Sequence, residues 1–385
     1  MSRPSSNGAL PPKTCLDLTT ADFEQSGADL LGRWRPYFDW TALRSAENVL
    51  PYSKASSGRI HSSVDAILSN GTRCAGINFA SQDYLNLSAH PAVHDAALKA
   101  IRTYGVHSAG SAALMGNTQL SLELEQRLAG FLGYRDCTIF PTGWGAGYGA
   151  IRTLVRPGDH IVIDVLAHAC LHEGARNATG NVSTFPHCSN AAVRRRLERI
   201  RADHPEAGIL VVTEGVFSMD SDVPDIAELQ DICRAFGAFL LVDVAHDLGA
   251  LGPTGRGVLE LQDMVGKVDI VMGSFSKTFA SNGGFVATNE PALKPALRYS
   301  AGPLLFSNAL SPVQAAIVLA ALDIVESEDG RQRRDQLMAN VTTLRDGLVA
   351  EGFAILGQPS AIVPVLMRVQ MHMRMRVLQH NRIRD

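Results

Sequence analysis

Lysine is scarce in this chain. The lysines are Lys13, Lys54, Lys99, Lys267, Lys277 and Lys294, and arginine supplies the remaining positive charge. Chemistry that needs a primary amine therefore has few places to occur. A surplus of either charge is also missing. The formal net charge is -3 over 385 residues, which gives no reason to expect nucleic acid or a membrane surface as partner. No apolar run is long enough to cross a bilayer. The N-terminus lacks a basic stretch followed by an apolar one, so no signal peptide is expected and the cytoplasm is the expected compartment. The 6 cysteines are Cys15, Cys74, Cys137, Cys170, Cys188 and Cys233. None forms a Cys-x-x-Cys pair and no Cys/His cluster has zinc spacing, so free thiols and no metal are expected. Repeats and low-complexity segments are absent. These exclusions leave a soluble protein with ample core, in one large or two linked domains.

Within that frame, Val268 to Gly284 organises the chain. Ile270 to Met272 reads as a buried strand, and Phe285 to Thr288 as a second one. Between them the chain breaks at Gly273 into small and hydroxyl residues around Lys277. A lysine between two buried strands is costly unless it has a partner or a task. Lysine is also the residue that forms a Schiff base with an aldehyde cofactor. On this stretch alone, a surface lysine in a polar turn is an equal reading.

The rest of the chain bears on that choice. Residues 1–70 lack a strand-helix rhythm, and the aromatic segment Trp34 to Trp40 reads as an arm. Asn70-Gly71 is a turn signal. Helices are expected over Ala92 to Tyr104 and Leu120 to Leu132, the latter with an apolar face of Leu120, Leu124, Leu128 and Phe131. Strands are expected at Cys137–Phe140, His160–Ile163, Gly208–Thr213 and Ala238–Val242. Helices should cover about Ala146–Leu154, Ala192–Arg201 and Pro224–Phe236. Alternating apolar strands and helices indicate an α/β fold, a largely parallel sheet covered on both faces. Ligands then bind beyond the carboxyl ends of the strands. There the polar residues cluster: Ser218, Asp243, His246, Ser274 and Lys277.

These residues suit an aromatic aldehyde with a pyridine ring and a phosphate. Such a cofactor needs an amine, a carboxylate on its ring nitrogen, a flat group on the ring face, and donors for the phosphate. Lys277, Asp243 and His168 can fill the first three roles. His246 lies three residues after Asp243 and can reach a ring hydroxyl. Gly143-Trp144 opens a helix N-terminus that faces an anion, and Ser274 can bind phosphate. Taken singly, each has a plainer reading: a capping aspartate, a core histidine, a turn serine.

The order and context of these residues resemble the α-oxoamine synthases, the pyridoxal-phosphate enzymes that include 8-amino-7-oxononanoate synthase, 2-amino-3-ketobutyrate CoA ligase, 5-aminolevulinate synthase and serine palmitoyltransferase. The resemblance runs from about Phe79 to Pro364. It rests on Ser81-Gln82-Asp83-Tyr84-Leu85, Thr142-Gly143-Trp144, His168-Ala169, the run from Glu214 to Asp220, Asp243-Val244-Ala245-His246, Ser274-Phe275-Ser276-Lys277 and Gly283-Gly284. Gly249, Gly252, Gly255 and Gly257 echo a glycine-rich run of the family. The resemblance implies the type I aminotransferase fold, bound pyridoxal 5'-phosphate and a homodimer with shared sites. It also implies roles. Lys277 would carry the cofactor and move protons, Asp243 would pair with the pyridine nitrogen and His168 would stack on the ring. His246 and Ser218 would approach the ring hydroxyl. Gly143, Trp144 and Ser274 would hold the phosphate, with Ser307 and Asn308 reaching it from the partner subunit.

The chain departs from the family's pattern at Gln82, Ala112, Gly147 and Val244, where asparagine, arginine, asparagine and glutamate are usual. The tail from Met367 does not match, although Val369 to Val377 alternates like one more strand. The expected division is an N-terminal arm (1–70), a large cofactor-binding α/β domain (71–300) and a small, incomplete C-terminal domain (301–385). The resemblance implies an acyltransferase that condenses a small amino acid with an acyl-CoA, or an acyl-carrier thioester, with loss of carboxylate. The alternatives are an aminotransferase or lyase of the same fold, or an impaired homologue that still binds the cofactor.

Overall fold

The computed structural model describes residues 18, 20–23 and 26–366. Two compact units divide the chain, Met1–Ser81 and Gln82–Asp385. In the first, Phe23, Tyr37 and Trp40 pack ring against ring, and Trp40 is buried. The aromatic segment thus builds a small core of its own, on the helix Arg35–Ala46. Three short strands follow: β1 (Ala55–Ser56), β2 (Ser63–Ile67) and β3 (Arg73–Ile77). They pair antiparallel in that order. The Asn70-Gly71 signal is the turn of the β2–β3 hairpin, with Gly71 at φ +85°. Its strands escaped detection because β3 is exposed throughout and carries no apolar alternation.

The second unit is built on seven strands. They are β4 (Asp136–Phe140), β5 (His160–Asp164), β6 (Val182–Phe185), β7 (Ile209–Glu214), β8 (Phe239–Asp243), β9 (Ile270–Ser274) and β10 (Gly284–Thr288). Their order across the sheet is β4-β10-β9-β8-β7-β5-β6. Only β10 runs against its neighbours, so the carboxyl ends of the other strands share one edge. Successive side chains of a strand point to opposite faces, and the two cores follow that rule. Ile161, Ile163, Leu210, Val212 and Leu241 pack with Ala146, Ala150, Ile151, Cys170 and Leu171 on one side. Val162, Val211, Leu240 and Val242 pack with Leu124, Leu128, Val193, Leu197 and Leu229 on the other. Burial on both faces explains why these strands read as continuous apolar runs. Each such aliphatic side chain contributes about 1.5–3 kcal/mol of transfer free energy.

The observed elements match the expected ones within a few residues, with three instructive differences. The helix expected from about Ala146 begins at Gly143, because the Thr142 hydroxyl accepts the Gly145 N–H at 2.9 Å and caps it there. A helix, Ala169–Ala178, and edge strand β6 stand where the sequence showed no pattern. Beyond residue 290 the chain forms the apolar helix Pro312–Glu326 and the charged helix Glu328–Ala350. It then adds strands β11 (Ala354–Ile355) and β12 (Val365–Leu366), which pair antiparallel. The alternating stretch Val369 to Val377 lies outside the described residues. Among the described residues no helix is long and apolar enough to cross a membrane.

Candidate active site

The strand-end edge gathers acidic groups. Glu214 ends β7 and Asp243 ends β8, and the two are register neighbours. Both are buried, at 3% and 6% exposure, and Asp247 is fully buried one turn further on. Their hydrogen bonds come from backbone. His168 N–H donates to Glu214 Oε1 at 2.6 Å, Ala245 N–H to Asp243 Oδ1 at 2.9 Å, and Val258 N–H to Asp247 Oδ2 at 2.7 Å. Asp247 Oδ1 has no partner among the described residues. Removal from water raises the affinity of all three for protons. Burial pushes Asp247 up to about 8, helped by the charge of Asp243. Burial and the Asp243 charge push Glu214 well up. Asp243 is raised by burial too, opposed by the Ala245 N–H and by Lys277 and His168.

Lys277 stands in the β9–β10 connection and is half-buried. Its charge acts on Asp243, Glu214 and His246 together. His246 is pushed down to about 3 by burial and by the charges of Lys277 and His168, and is a neutral imidazole. Its Nδ1 lies 2.8 Å from the Tyr84 hydroxyl. His168 caps the helix Ala169–Ala178: its Nδ1 accepts the Cys170 N–H at 3.3 Å. The Trp144 ring meets it edge to face, with centroids 5.7 Å apart.

A second cluster adjoins these groups. Gly143 opens the helix Gly143–Leu154 directly against Ser274. A Cβ on Gly143 would lie 2.5 Å from Ser274 Oγ, so only glycine fits. Gly284 is equally confined, since its Cβ would meet Gly143 Cα at 2.6 Å. Ser274 Oγ is 3.0 Å from Ser276 Oγ and accepts the Ser276 N–H at 3.2 Å. Helix-mouth N–H groups and two hydroxyls together form an anion cradle. Carboxylates short of cations, an amine, an imidazole and this cradle fit pyridoxal phosphate.

The structure brings together Lys277, Asp243, His168 and His246, and likewise Gly143, Trp144 and Ser274. Ser218 is half-buried in the loop after β7 and makes no hydrogen bond to the others among the described residues. Ser307 and Asn308 do not join the cluster within one chain. Asn308 Nδ2 lies 3.1 Å from His107 Nε2, and the Ala309 N–H donates to Gly110 O at 2.8 Å. Three of the departures are packing features. Ala112 and Val244 are core residues, and a Cβ on Gly147 would press on Cys170 Sγ at 2.9 Å. Gln82 is exposed. Sequence reasoning assigned no role to Glu214, Asp247 or Tyr84. The two acids had a legible signal, since each lies at or just beyond the end of a buried strand.

Residues 75–380 match the family described as aminotransferase class I and II. The chain is 40% identical to 8-amino-7-oxononanoate synthase of Geobacter metallireducens over 286 residues, 74% of this chain and 72% of the relative. It is 34% identical to serine palmitoyltransferase of Bacteriovorax stolpii over 289 residues, 75% and 68% of the two chains. A solved serine palmitoyltransferase from S. paucimobilis, with pyridoxal phosphate and myriocin bound, superposes with a TM-score of 0.82 at 30% identity. That match covers 91% of this chain and 90% of that one.

Proposed function

Because the chain belongs to the aminotransferase class I and II family, and within it to the α-oxoamine synthases, we propose that it is a pyridoxal-phosphate-dependent acyltransferase. It condenses a small amino acid with an acyl thioester, losing the carboxylate as CO2 and releasing the thiol, to give an α-aminoketone. The observation that carries this reading is the group of buried carboxylates near Lys277, none of which makes an ion pair among the described residues. Bound pyridoxal phosphate supplies an electron sink for a bond broken at the α-carbon of an amino acid.

The chain's residues divide the remaining work. The Lys277 amine would hold the cofactor covalently and, when free, would take and return the α-proton. The Asp243 carboxylate would face the ring nitrogen, and its negative charge would keep a proton there. His168, steadied by its cap contact with Cys170 and by Trp144, would lie against the ring face. His246, neutral and within hydrogen-bond distance of the Tyr84 hydroxyl, would offer its other nitrogen to the ring hydroxyl, a role Ser218 would share. The N–H groups of Gly143 and Trp144 and the Ser274 hydroxyl hold the phosphate.

Ser307 and Asn308 complete the partner's site in a homodimer. Val106, Leu114, Met115 and Phe306, each more than two-thirds exposed, flank the 107–110 and 308–309 contact and supply apolar surface for that interface. The division by task is an arm to residue 70, a cofactor domain over 71–300 and a small domain from 301. Free thiols at Cys74, Cys137, Cys170, Cys188 and Cys233 suit a cytoplasmic enzyme. The test is a screen of glycine, alanine and serine against acyl-CoAs of rising length, following free CoA. Release that needs both an amino acid and pyridoxal phosphate is expected. Amino transfer to an oxo acid without CoA release would overturn the reading.

A further inference from the structure

One side-chain cluster on the strand-end edge takes no part in the chemistry above. Asp164 ends β5 and is fully buried. His187 and Cys188 follow β6. His187 Nδ1 lies 2.9 Å from Asp164 Oδ1, and Cys188 Sγ lies 3.8 Å from the same Nδ1. One ligand atom each from Asp164, His187 and Cys188 can be chosen with all separations within 4.8 Å. The Cys188 N–H donates to Asp164 Oδ2 at 2.8 Å and holds the residue at φ +53°, where a cysteine is strained. On the far side of the imidazole, Nε2 lies 3.2 Å from Asp222 Oδ2, and the Phe217 ring meets it edge-on at 4.4 Å.

We propose that Asp164, His187 and Cys188 bind a zinc-class divalent cation, with Asp222 orienting the imidazole from its other nitrogen. Around a tetrahedral zinc with nitrogen, oxygen and sulfur ligands, donor atoms stand roughly 3.3–3.6 Å apart. The 2.9 Å from Nδ1 to Asp164 Oδ1 is a direct hydrogen bond, shorter than that spacing, and Cys188 Sγ lies 3.5 Å from Nε2 as well as 3.8 Å from Nδ1. To admit an ion, the three side chains must therefore part by a few tenths of an ångström and the thiol swing toward Nδ1. One thiolate, one imidazole and one carboxylate select zinc or cobalt over magnesium or calcium, which take oxygen ligands. A carboxylate on the second ring nitrogen is the usual means of fixing a metal-bound histidine. The His187 side chain is 18% exposed, so solvent can supply the fourth ligand. Binding replaces the proton on Nδ1 and the proton on the thiol, and both pass to solvent. The sequence concealed this site because Asp164 comes from another strand, far from any Cys/His spacing rule. An ion here ties β5 to the loop after β6. Through Asp222 and Phe217 it also braces the loop that carries Ser218.

The test uses the full chain, loaded with pyridoxal phosphate and stripped of metals by chelation. Zinc chloride is added in equilibrium dialysis and the metal is counted. One zinc per chain is expected. Cys188→Ser should weaken binding by roughly 100-fold and Asp222→Asn by about 10-fold, while Cys74→Ser, at an exposed thiol, leaves it unchanged. In the parent chain, zinc should also protect Cys188 from a maleimide, a readout that needs no variant to fold. Less than half a zinc per chain, equal affinity in Cys188→Ser, or unprotected Cys188 would overturn the proposal.

Discussion

Two buried acidic sites in the same unit are treated in opposite ways. Glu125, on the helix Gln119–Leu132, is 3% exposed and surrounded by cations. Arg298 Nη2 reaches its two oxygens at 2.7 and 3.0 Å, Lys294 Nζ lies 2.9 Å away, and the Ile139 N–H adds a bond of 3.2 Å. Glu214, Asp243 and Asp247 are as deeply buried, yet among the described residues no cation lies within ion-pair distance of them. A buried charge without a partner costs several kcal/mol. The first site is closed and holds the fold together. The second is left open to a cation, and the ring nitrogen of pyridoxal phosphate is the cation the family supplies.

Predictions that break or sharpen this contrast run from large effects to small. Lys277→Ala should lower CoA release by roughly 10⁴-fold, the scale seen when a covalent catalytic group is removed. Borohydride reduction of the parent should fix the cofactor on the Lys277 peptide, and a label on Lys267 or Lys294 would refute the assignment. Asp243→Asn should cost on the order of 10²-fold in kcat while the phosphate cradle still binds cofactor. Glu125→Gln should do the reverse. It removes about 3 kcal/mol of stability by leaving Arg298 without its charge partner and Lys294 with only the longer Asp136 contact at 3.8 Å, and kcat per bound cofactor stays near the parent's. If Glu125→Gln reduced kcat as Asp243→Asn does, the contrast would fail.

Asp247 gives a pH signature. Its folded proton affinity, near pH 8, lies above the usual carboxylate value, so the folded state binds a proton that the unfolded state has released. That contribution is complete below about pH 4 and is lost as pH rises to about 8, with a slope of at most about 1.4 kcal/mol per pH unit. Thermal unfolding of Asp247→Asn without cofactor should therefore vary less with pH than the parent over that window. Parallel curves would show that Asp247 does not titrate there. The smallest effect is expected of Tyr84→Phe. Losing the hydroxyl at 2.8 Å from His246 should reduce kcat/KM by about 5-fold, equivalent to one neutral hydrogen bond of about 1 kcal/mol. An unchanged kcat/KM would leave that contact without a part in the reaction.

What the sequence revealed and what it hid follow from burial. Strands β5, β7, β8 and β9 lie in the middle of the sheet, so their apolar runs announced them and pointed to Asp243 and Lys277 at their ends. Strand β6 is at the sheet edge and carries Ser183 and Thr184, so it showed no run. The hairpin of β2 and β3 was legible only at its turn. Helix 328–350 was missed because ion pairs such as Arg333–Asp329 cover it and little apolar stripe remains. In the site, single residues with a chemical role were legible in order along the chain. Contacts between distant segments were not: Tyr84 to His246, Gly143 to Ser274 and Asp164 to His187 each depend on the assembled sheet.

The most direct measurement is the unfolding free energy of the parent and of Asp243→Asn, each with and without pyridoxal phosphate. Without cofactor, replacing an uncompensated buried carboxylate by an amide should leave stability equal or raise it. With cofactor, the same substitution should cost about 3 kcal/mol, since a charge pair is then broken. An equal loss in both states would show that Asp243 already has its counter-charge in the bare chain, and would contradict the account of the open site.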